Sequence, residues 1–161
     1  METDPDAVAR LLHDDARLCD DALYLGIGDC KLRLRSNSTQ LLGVLRRYFS
    51  HVVSTAQSPD IDVIAVERDV VDVDADFIDW KREPGKTGRK DAYLDIPEGR
   101  LVRKVRTGML FLQSDRHRIA AGPCIEYDNQ VINFINAQYM NWLQQRSWLI
   151  CHAARSEERR V

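Results

Sequence analysis

The sequence predicts an α+β fold, with mixed and antiparallel strands in hairpins and about three helices. Two observations predict this class. About eight or nine short runs alternate apolar with polar residues or are rich in β-branched residues, and three longer runs repeat apolar residues with a helical period. The 161 residues are 44% hydrophobic and 30% charged, the balance of an ordinary globular domain. Collagen, low-complexity linkers and wholly disordered chains are therefore excluded.

The N-terminal third predicts two helices separated by a hairpin. The run from Pro5 to about Cys19 predicts the first helix, because Asp4 suits the N-cap and proline suits the first turn. Two alternating runs on either side of Gly28-Asp29 predict a β-hairpin. Ser36-Asn37-Ser38 offers caps for a second helix, whose leucines and aromatic residues follow a helical period.

The rest of the chain adds short strands and one long helix. We expect strands or hairpins at Ile61–Val66, Asp91–Ile96, Leu101–Arg106, Met109–Leu112 and Arg118–Ala121, and a helix over about Asn129–Arg146. Trp148 to His152 form a near-continuous apolar run, which is typical of a strand buried on both faces of a parallel or mixed sheet. A second copy of the chain could complete the sheet beside such a strand, so a homo-oligomer stays open.

Charge is balanced overall but unevenly distributed. The chain has 23 basic and 25 acidic residues, a formal net charge of -2, so its total charge favours neither nucleic acid nor an anionic membrane. The segment 81–118 nevertheless holds eleven Lys or Arg against five acids, and Asp60–Asp79 is strongly acidic. The basic segment predicts a surface for an anion such as phosphate, with pairing between the two segments as the alternative.

The short length of the apolar runs and the scattered positions of the cysteines predict the cellular compartment. The longest apolar runs are far shorter than the ~20 residues that a bilayer requires, and the acidic N-terminus is unlike a signal peptide. The four cysteines are scattered, without a CxxC pair or histidines at metal-binding spacing. We therefore expect a cytoplasmic protein with reduced thiols, no membrane contact and no metal site.

Two glycine motifs resemble nucleotide loops but lack the glycines that such loops require. Pro84-Gly85-Lys86-Thr87 resembles the end of a Walker A loop, yet Trp80 occupies the position of its first glycine and a strand-like run follows. Gly26-Ile27-Gly28 resembles the start of GxGxxG, yet Lys31 occupies the third glycine position. We predict that neither binds a nucleotide. Residues 81–90 are predicted to form a solvated loop, with closure over a phosphate as the alternative.

Five cations are the candidate anion-binding residues: Lys86, Arg89, Lys90, Lys104 and Arg106. Strand alternation would place Lys104 and Arg106 on one face, where they could clamp one phosphate or one acidic partner. His152 is the candidate catalytic residue, because a side chain at the end of a buried strand can project into a site at the sheet edge. A hydrogen-bonded core histidine is the alternative. Nucleic-acid binding is disfavoured, since only Tyr93 and Phe111 lie near the cations in sequence.

Five runs together resemble a known family: REPGKTGRKDAY, GRLVRKVRTGM, IAAGPC, DNQVINFINAQYMNWLQ and WLICHAA are similar to HprK-related kinase B, a relative of bacterial HPr serine kinase/phosphorylase. The resemblance covers about Leu23 to Ala154. It implies a P-loop core, ATP- and Mg²⁺-dependent phosphorylation of a protein substrate on Ser or Thr, and an ATP-grasp enzyme among the partners.

The resemblance also implies a division of the chain and roles for some residues. It divides the chain into an N-terminal α+β region (1–122), the start of the kinase-like core with a helix and a buried strand (123–154), and a charged tail (155–161). His152 matches the histidine of the strand that enters the nucleotide site, and the loop with Lys86, Arg89 and Lys90 matches a family motif. In the family a GxxxxGKS or GxxxxGKT loop follows shortly, whereas this sequence reads RSEERRV after Ala154.

Two functions from different classes are therefore expected. The first is a portion of an HPr-kinase-related kinase that ends before the P-loop, is inactive alone and binds neither ATP nor Mg²⁺ tightly. The alternative is a non-catalytic binding module that uses the basic face of residues 81–118 for a phosphorylated or acidic partner.

Overall fold

In the computed structural model, which describes residues 4–151, a mixed sheet is packed between helices. The helices are α1 (Pro5–His13), α2 (Thr39–Tyr48) and α3 (Asp128–Gln145), with one 3₁₀ turn at Ser50–Val52. The strands are β1 (Leu23–Ile27), β2 (Cys30–Ser36), β3 (Ile61–Glu67), β4 (Ile78–Asp79), β5 (Asp91–Ile96), β6 (Gly99–Lys104), β7 (Leu110–Ser114) and β8 (Arg118–Gly122). The predicted α+β class is confirmed.

The sheet has the strand order β1-β2-β3-β8-β7-β6-β5-β4. Strands β2, β3 and β8 are parallel to one another, and every other neighbouring pair is antiparallel. The predicted hairpin of β1 and β2 forms around Gly28, whose φ of 55° suits glycine at a tight turn. A short parallel centre is thus extended on one side by a hairpin and on the other by an antiparallel meander.

Side-chain caps begin the first two helices where the sequence predicts them. Asp4 accepts a hydrogen bond from the Ala7 backbone N–H at 3.2 Å, and Ser38 accepts one from Leu41 at 3.1 Å. The prediction that α1 continues to Cys19 is wrong, since the helix ends at His13. Acidic residues follow this end, where the helix dipole disfavours negative charge, and the chain must then extend to reach β1.

Each face of the sheet has its own apolar core. The front face packs against α2 and α3, with fully buried side chains such as Leu32 and Leu45. The back face packs against α1 and the irregular segment 69–77, with Leu12 and Val73 buried there. Burial of one leucine side chain stabilises the fold by about 1.5–3 kcal/mol, so both layers contribute to the stability of the sheet.

The predicted buried strand at Trp148–His152 does not form over the residues that the structure describes. Residues 148–151 belong to no helix or strand, and Trp148 and Leu149 are 65% and 86% exposed. A strand buried on both faces needs neighbours, and the interior positions of this sheet are already taken. His152 lies outside the described residues. Of the helices within residues 4–151, none combines the length and apolar character of a membrane span.

Candidate functional site

A groove of about 1160 Å³ runs along the front of the molecule between α3 and the β5–β7 half of the sheet. It exists because α2 packs on β2 and α3 on β3 and β8, and α3 reaches no further than β7, where the Phe134 and Phe111 rings lie 5.0 Å apart. Strands β5 and β6 are therefore left uncovered in front by these helices. The sheet forms the floor of the groove and α3 forms one wall. The remaining side is open to solvent.

The floor of the groove consists of cross-strand rows set by the pairing register. The middle row is apolar and joins Tyr93, Val102 and Phe111. Arg100 lies on one side of this row and Lys104 on the other, because alternate residues of β6 face the same way. The Cα atoms of these two residues are about 13 Å apart, because four residues of β6 separate them and each residue of a strand rises about 3.3 Å. Along β6 the floor therefore presents a cation (Arg100), an apolar side chain (Val102) and a second cation (Lys104).

Both cations of β6 are held by carboxylates of β5. Lys104 Nζ lies 3.1 Å from Asp91 Oδ2, and Arg100 Nε lies 2.6 Å from Asp95 Oδ1. The Arg100 guanidinium also stacks on the Tyr93 ring at 4.5 Å. The second oxygen of Asp91 is buried and has no hydrogen-bond partner within residues 4–151. The floor is thus fixed in place, with one acceptor oxygen still unsatisfied.

Four further cations lining the groove take no part in any ion pair formed among residues 4–151: Lys90, Arg106, Arg118 and Arg146. Around the whole groove six cations stand against four carboxylates: Lys90, Arg100, Lys104, Arg106, Arg118 and Arg146 against Asp60, Asp91, Glu98 and Asp115. The lining therefore carries excess positive charge. Anionic groups that enter the groove meet cations whose charge is not already compensated.

The α3 wall of the groove is built from uncharged amides and is joined to the sheet at two points. Gln138 is buried and donates to Gln113 Oε1 at 3.2 Å, and Thr107 Oγ1 donates to Gln130 Oε1 at 3.0 Å. Such hydrogen bonds between neutral side chains hold α3 at a fixed distance from β7 and from the turn that precedes it. The groove is therefore built into the fold before any ligand binds.

The turn after β6 positions Arg106 beside Lys104. Sequence alternation predicts a shared strand face for these two residues, but that reason is wrong because β6 ends at Lys104. Both side chains nevertheless line the groove. The turn closes at Gly108, whose φ is 76° and where a Cβ would meet a methyl carbon of Val70 at 2.6 Å. Glycine is required there because segment 69–77 packs directly beneath.

The predicted loop cations divide into two groups. Lys90 lines the groove, whereas Lys86 and Arg89 do not. Lys86 pairs with Glu83, three residues away, and Arg89 Nη2 lies 2.7 Å from Asp79, whose hydrogen bond raises the pKa of Arg89. Lys86 instead lines a smaller neighbouring cleft of about 360 Å³, which it shares with Lys90 and Lys104. Three of the five predicted cations thus converge on the groove.

Residues 4–151 do not fit a Mg²⁺–ATP cradle. The predicted loop at 81–90 is confirmed and is followed by strand β5, so no helix N-terminus faces it. Among the described residues, no group of three His, Cys, Asp or Glu side chains is placed to hold a metal ion.

The carboxyl ends of the parallel strands meet at another edge of the sheet, where the polar side chains form hydrogen bonds with backbone groups. Asn37 forms two hydrogen bonds with the backbone of Glu67, at 2.8 and 2.9 Å. The Glu67 carboxylate accepts from the Ile125 N–H at 2.6 Å. Burial raises the pKa of the nearby Cys124 thiol to about 12, so this cysteine is not a nucleophile at neutral pH. This edge holds the loops together.

Sequence reasoning underestimated the aromatic content of the groove. Trp80 and Trp142 line it although they lie far apart in the chain, and the Arg146 guanidinium stacks on Trp142 at 3.7 Å. Only the pairing of β4 with β5 and the path of α3 bring these residues to one place. No local pattern in the sequence carries that signal.

Comparisons of the chain with models of known protein families, with curated proteins and with solved structures yield no match.

Proposed function

We propose that this chain is a binding module that holds an acidic or phosphorylated segment of a partner protein in the groove between α3 and strands β5–β7. The observation that carries the proposal is the excess of cations over carboxylates around the groove, with Lys90, Arg106, Arg118 and Arg146 in no ion pair among residues 4–151. Carboxylate and phosphate oxygens are the natural partners of these groups, and both form charge-assisted hydrogen bonds with arginine.

A protein segment suits the groove better than single-stranded nucleic acid. Nucleic-acid binding needs free aromatic faces on which bases stack. Arg100 already lies over the rings of Tyr93 and Trp80, at 4.5 and 5.5 Å, and Arg146 covers the ring of Trp142 at 3.7 Å. The four carboxylates of the lining would also repel a continuous phosphate backbone, whereas a peptide can place its acids only where cations lie.

The proposal is tested by measuring the affinity of fluorescent peptides for the 161-residue chain and its variants. Replacement of both Lys90 and Arg106 by alanine should weaken binding of an acidic peptide about tenfold or more, which corresponds to about 1.4 kcal/mol. Binding should also weaken as salt rises, because these cations are exposed. Phosphoserine, glutamate and serine versions of one peptide distinguish phosphate from carboxylate recognition.

The matched control replaces Arg46 and Arg47, two exposed arginines at the end of α2 that do not line the groove. This double variant should bind the peptides as the wild type does. Equal weakening in both double variants, or tighter binding of a single-stranded RNA than of any peptide, would contradict the proposal.

We further propose that this module belongs to an HPr-kinase-related phosphotransferase. The support is the sequence resemblance over about Leu23 to Ala154, together with Trp148 and Leu149, whose exposed apolar side chains have no cover among residues 4–151. The coding DNA after codon 161, read in three frames, tests this proposal. A GxxxxGKS or GxxxxGKT loop shortly downstream would support it, and its absence from all three frames would contradict it. The 161-residue chain alone is expected not to bind Mg²⁺–ATP tightly.

A further inference from the structure

The excess positive charge of the groove is confined to one of its ends. Along β6 the groove has an Arg100 end and a Lys104 end, whose Cα atoms lie about 13 Å apart. At the Arg100 end cations and carboxylates balance: Arg100, Arg118 and Arg146 line it with Asp60, Glu98 and Asp115. At the Lys104 end three cations meet a single carboxylate: Lys90, Lys104 and Arg106 line it with Asp91. The uncompensated charge therefore lies at the Lys104 end.

The strand register and the path of α3 decide which residues share an end. Arg118 continues the cross-strand row of Arg100, because Gln113 of β7 pairs with both. The three carboxylates of the Arg100 end adjoin the start of β6, the end of β7 and the start of β3, which lie along one edge of the sheet. Helix α3 starts at the other end, where its residue Gln130 contacts the turn after β6, and Arg146 follows its last residue.

A smaller cleft joins the groove at the Lys104 end and adds to its charge. The cleft of about 360 Å³ shares five lining residues with the groove: Trp80, Lys90, Asp91, Val102 and Lys104. It adds three cations and one carboxylate of the loop before β5: Lys81, Arg82, Lys86 and Glu83. Around the two cavities together, six cations thus stand against two carboxylates at this end.

The loop before β5 is held by its own contacts, which leave two of its lysines unpaired. Arg82 donates to the carbonyls of Thr87 and Gly88 at 3.1 and 3.4 Å. Lys81 and Lys90 take part in no ion pair within the described part of the chain. These two lysines are therefore available to an anion.

Arg106 approaches the same loop from the turn after β6. Its Nη2 lies 3.9 Å from the position that a Cβ of Gly88 would occupy. The Val105 N–H donates to the Lys90 carbonyl at 3.0 Å, so the two chain segments are joined there. Arg106 and Lys90 thus lie on adjacent segments at one end of the groove.

The single carboxylate of the groove at this end repels an incoming anion only weakly. Asp91 Oδ2 lies 3.1 Å from Lys104 Nζ, and Asp91 Oδ1 is enclosed by the protein. An ammonium group has three N–H donors, so Lys104 keeps further donors after this contact.

We propose that the Lys104 end binds the phosphate group of a phosphorylated side chain in the partner segment, with Lys90 and Arg106 as its principal contacts. This inference rests on the proposed function and names the chemical group that is recognised. A phosphate monoester carries a charge of about −1.5 to −2 at neutral pH and three acceptor oxygens. It therefore matches positive charge that is concentrated at one point and comes from two chain segments.

A segment with carboxylates spread along its length suits this distribution less well. One carboxylate carries half the charge of a phosphate dianion. A second acid placed at the Arg100 end meets as many carboxylates as cations there, so it gains little.

Four peptides that differ only at their centre test the inference against the 161-residue chain. The central position carries phosphoserine, serine, one glutamate, or two adjacent glutamates that match the phosphate charge. We expect the phosphoserine peptide to bind about tenfold or more tightly than the peptide with one glutamate, and more tightly than the peptide with two. Equal affinity of the three anionic peptides would overturn the inference and leave the proposed function intact. No binding of any of them, while the chain is folded, would contradict the proposed function itself.

The pH dependence of binding separates phosphate from carboxylate. The second pKa of a phosphate monoester is about 6, so the phosphoserine peptide should bind several-fold more weakly at about pH 5.5 than at about pH 7.5. The peptide with two glutamates should bind equally at both, because carboxylates stay ionised. Within residues 4–151 the titratable groups lining the two cavities are lysines, arginines, aspartates and glutamates, whose ordinary pKa values lie outside this range. A parallel decrease for both peptides would overturn the inference.

Two matched variants locate the phosphate. Arg106→Gln should reduce the preference for phosphoserine over glutamate about fivefold or more, whereas Arg118→Gln, at the balanced end, should leave it unchanged. Both arginines line the groove and take part in no ion pair within residues 4–151, and circular dichroism checks that both variants fold. An equal loss of preference in the two variants would overturn the assignment to the Lys104 end.

Inorganic phosphate serves as a competitor that distinguishes the free ion from a phosphorylated segment. It should displace the phosphoserine peptide only at concentrations well above the Kd of that peptide, because it lacks the flanking residues. Inorganic phosphate that binds as tightly as the peptide would indicate a site for the free ion and overturn the inference.

Discussion

The two halves of the sheet use similar residues in opposite ways. The β1–β3 half is covered in front by α2 and part of α3, and its back face carries two arginines that share one carboxylate. The β5–β7 half is covered at the back by segment 69–77 and left open in front over β5 and β6, where cations outnumber acids around the groove. The contrast shows that the number of cations in a segment does not by itself identify an anion-binding surface. Such a surface is identified by cations that do not already pair with a carboxylate of the same chain.

In the β1–β3 half the charges are committed to the fold. Arg33 and Arg35 each donate two hydrogen bonds to Asp62, at 2.6 to 3.2 Å. Burial alone would raise the pKa of Asp62, but the hydrogen bonds from the two guanidiniums hold it below its usual value. The hydrogen bond to Asp62 likewise raises the pKa of Arg33. An incoming anion would have to compete with this carboxylate.

In the β5–β7 half, residues 4–151 close the back but close the front only at β7. Segment 69–77 directs Val73 and Phe77 at the sheet, while acids such as Asp74 face solvent. Arg103 fixes the segment by donating to the Val73 carbonyl at 2.8 Å and stacking on Phe77 at 3.9 Å. Nothing among residues 4–151 performs the corresponding task in front, so the front cations remain accessible.

The largest expected effect is on the free energy of unfolding, which should fall more for a truncation on the covered front of the sheet than for one on the open front. Leu32→Ala, in the buried cluster under α2, should lower the free energy of unfolding by about 3 kcal/mol through lost burial and a residual cavity. Val102→Ala, on the open floor and only partly buried, should lower it by about 1 kcal/mol or less. Urea unfolding of both variants measures the difference. Equal losses would show that the floor is packed as tightly as the core.

A smaller effect on stability is expected where cations already pair with a carboxylate of the chain. Asp62→Asn should destabilise the fold by about 2 kcal/mol at neutral pH, because two partly buried arginines lose their common counter-charge. Since the pKa of Asp62 is lowered in the folded state, its contribution is present above about pH 4 and disappears as pH falls through the folded value. The difference in the free energy of unfolding between variant and wild type should therefore shrink as pH falls below about 4. A difference that is independent of pH across the acid range would contradict the electrostatic account.

The smallest effect concerns the attachment of α1 to the back face. Asp6 accepts a hydrogen bond from His117 Nε2 at 2.6 Å and pairs with Arg116 at 2.9 Å, and the bond from His117 chiefly lowers the pKa of Asp6. Asp6→Asn should speed amide hydrogen exchange in α1 and leave peptide binding in the groove unchanged. In the wild type the attachment should be lost only as pH falls through the lowered pKa of Asp6, which lies below the usual carboxylate value of about 4. Altered peptide affinity in this variant would contradict the independence of the two faces.

Local elements were predictable because short-range chemistry decides them. Asp4 and Ser38 cap helices within three residues of themselves, and Gly28 provides the positive φ that the first hairpin requires. Residues 81–90 form a loop because Pro, Gly and clustered positive charge disfavour any regular element. Alternation of apolar residues likewise locates the strands, since one buried face imposes a period of two.

The groove was not predictable, because it depends on which strands become neighbours. Strand order places β8 between β3 and β7, which brings Arg118 into the cationic lining and leaves the front of β5 and β6 uncovered by the described helices. Lys86 and Arg89 lie in the same loop as Lys90, yet they form ion pairs with Glu83 and Asp79 and do not line the groove. The expected strand at Trp148 fails for the same reason, since an apolar run becomes a strand only where a neighbour offers hydrogen bonds. Composition and period therefore determine the elements of this protein, whereas long-range pairing alone decides which charges meet and which face stays open.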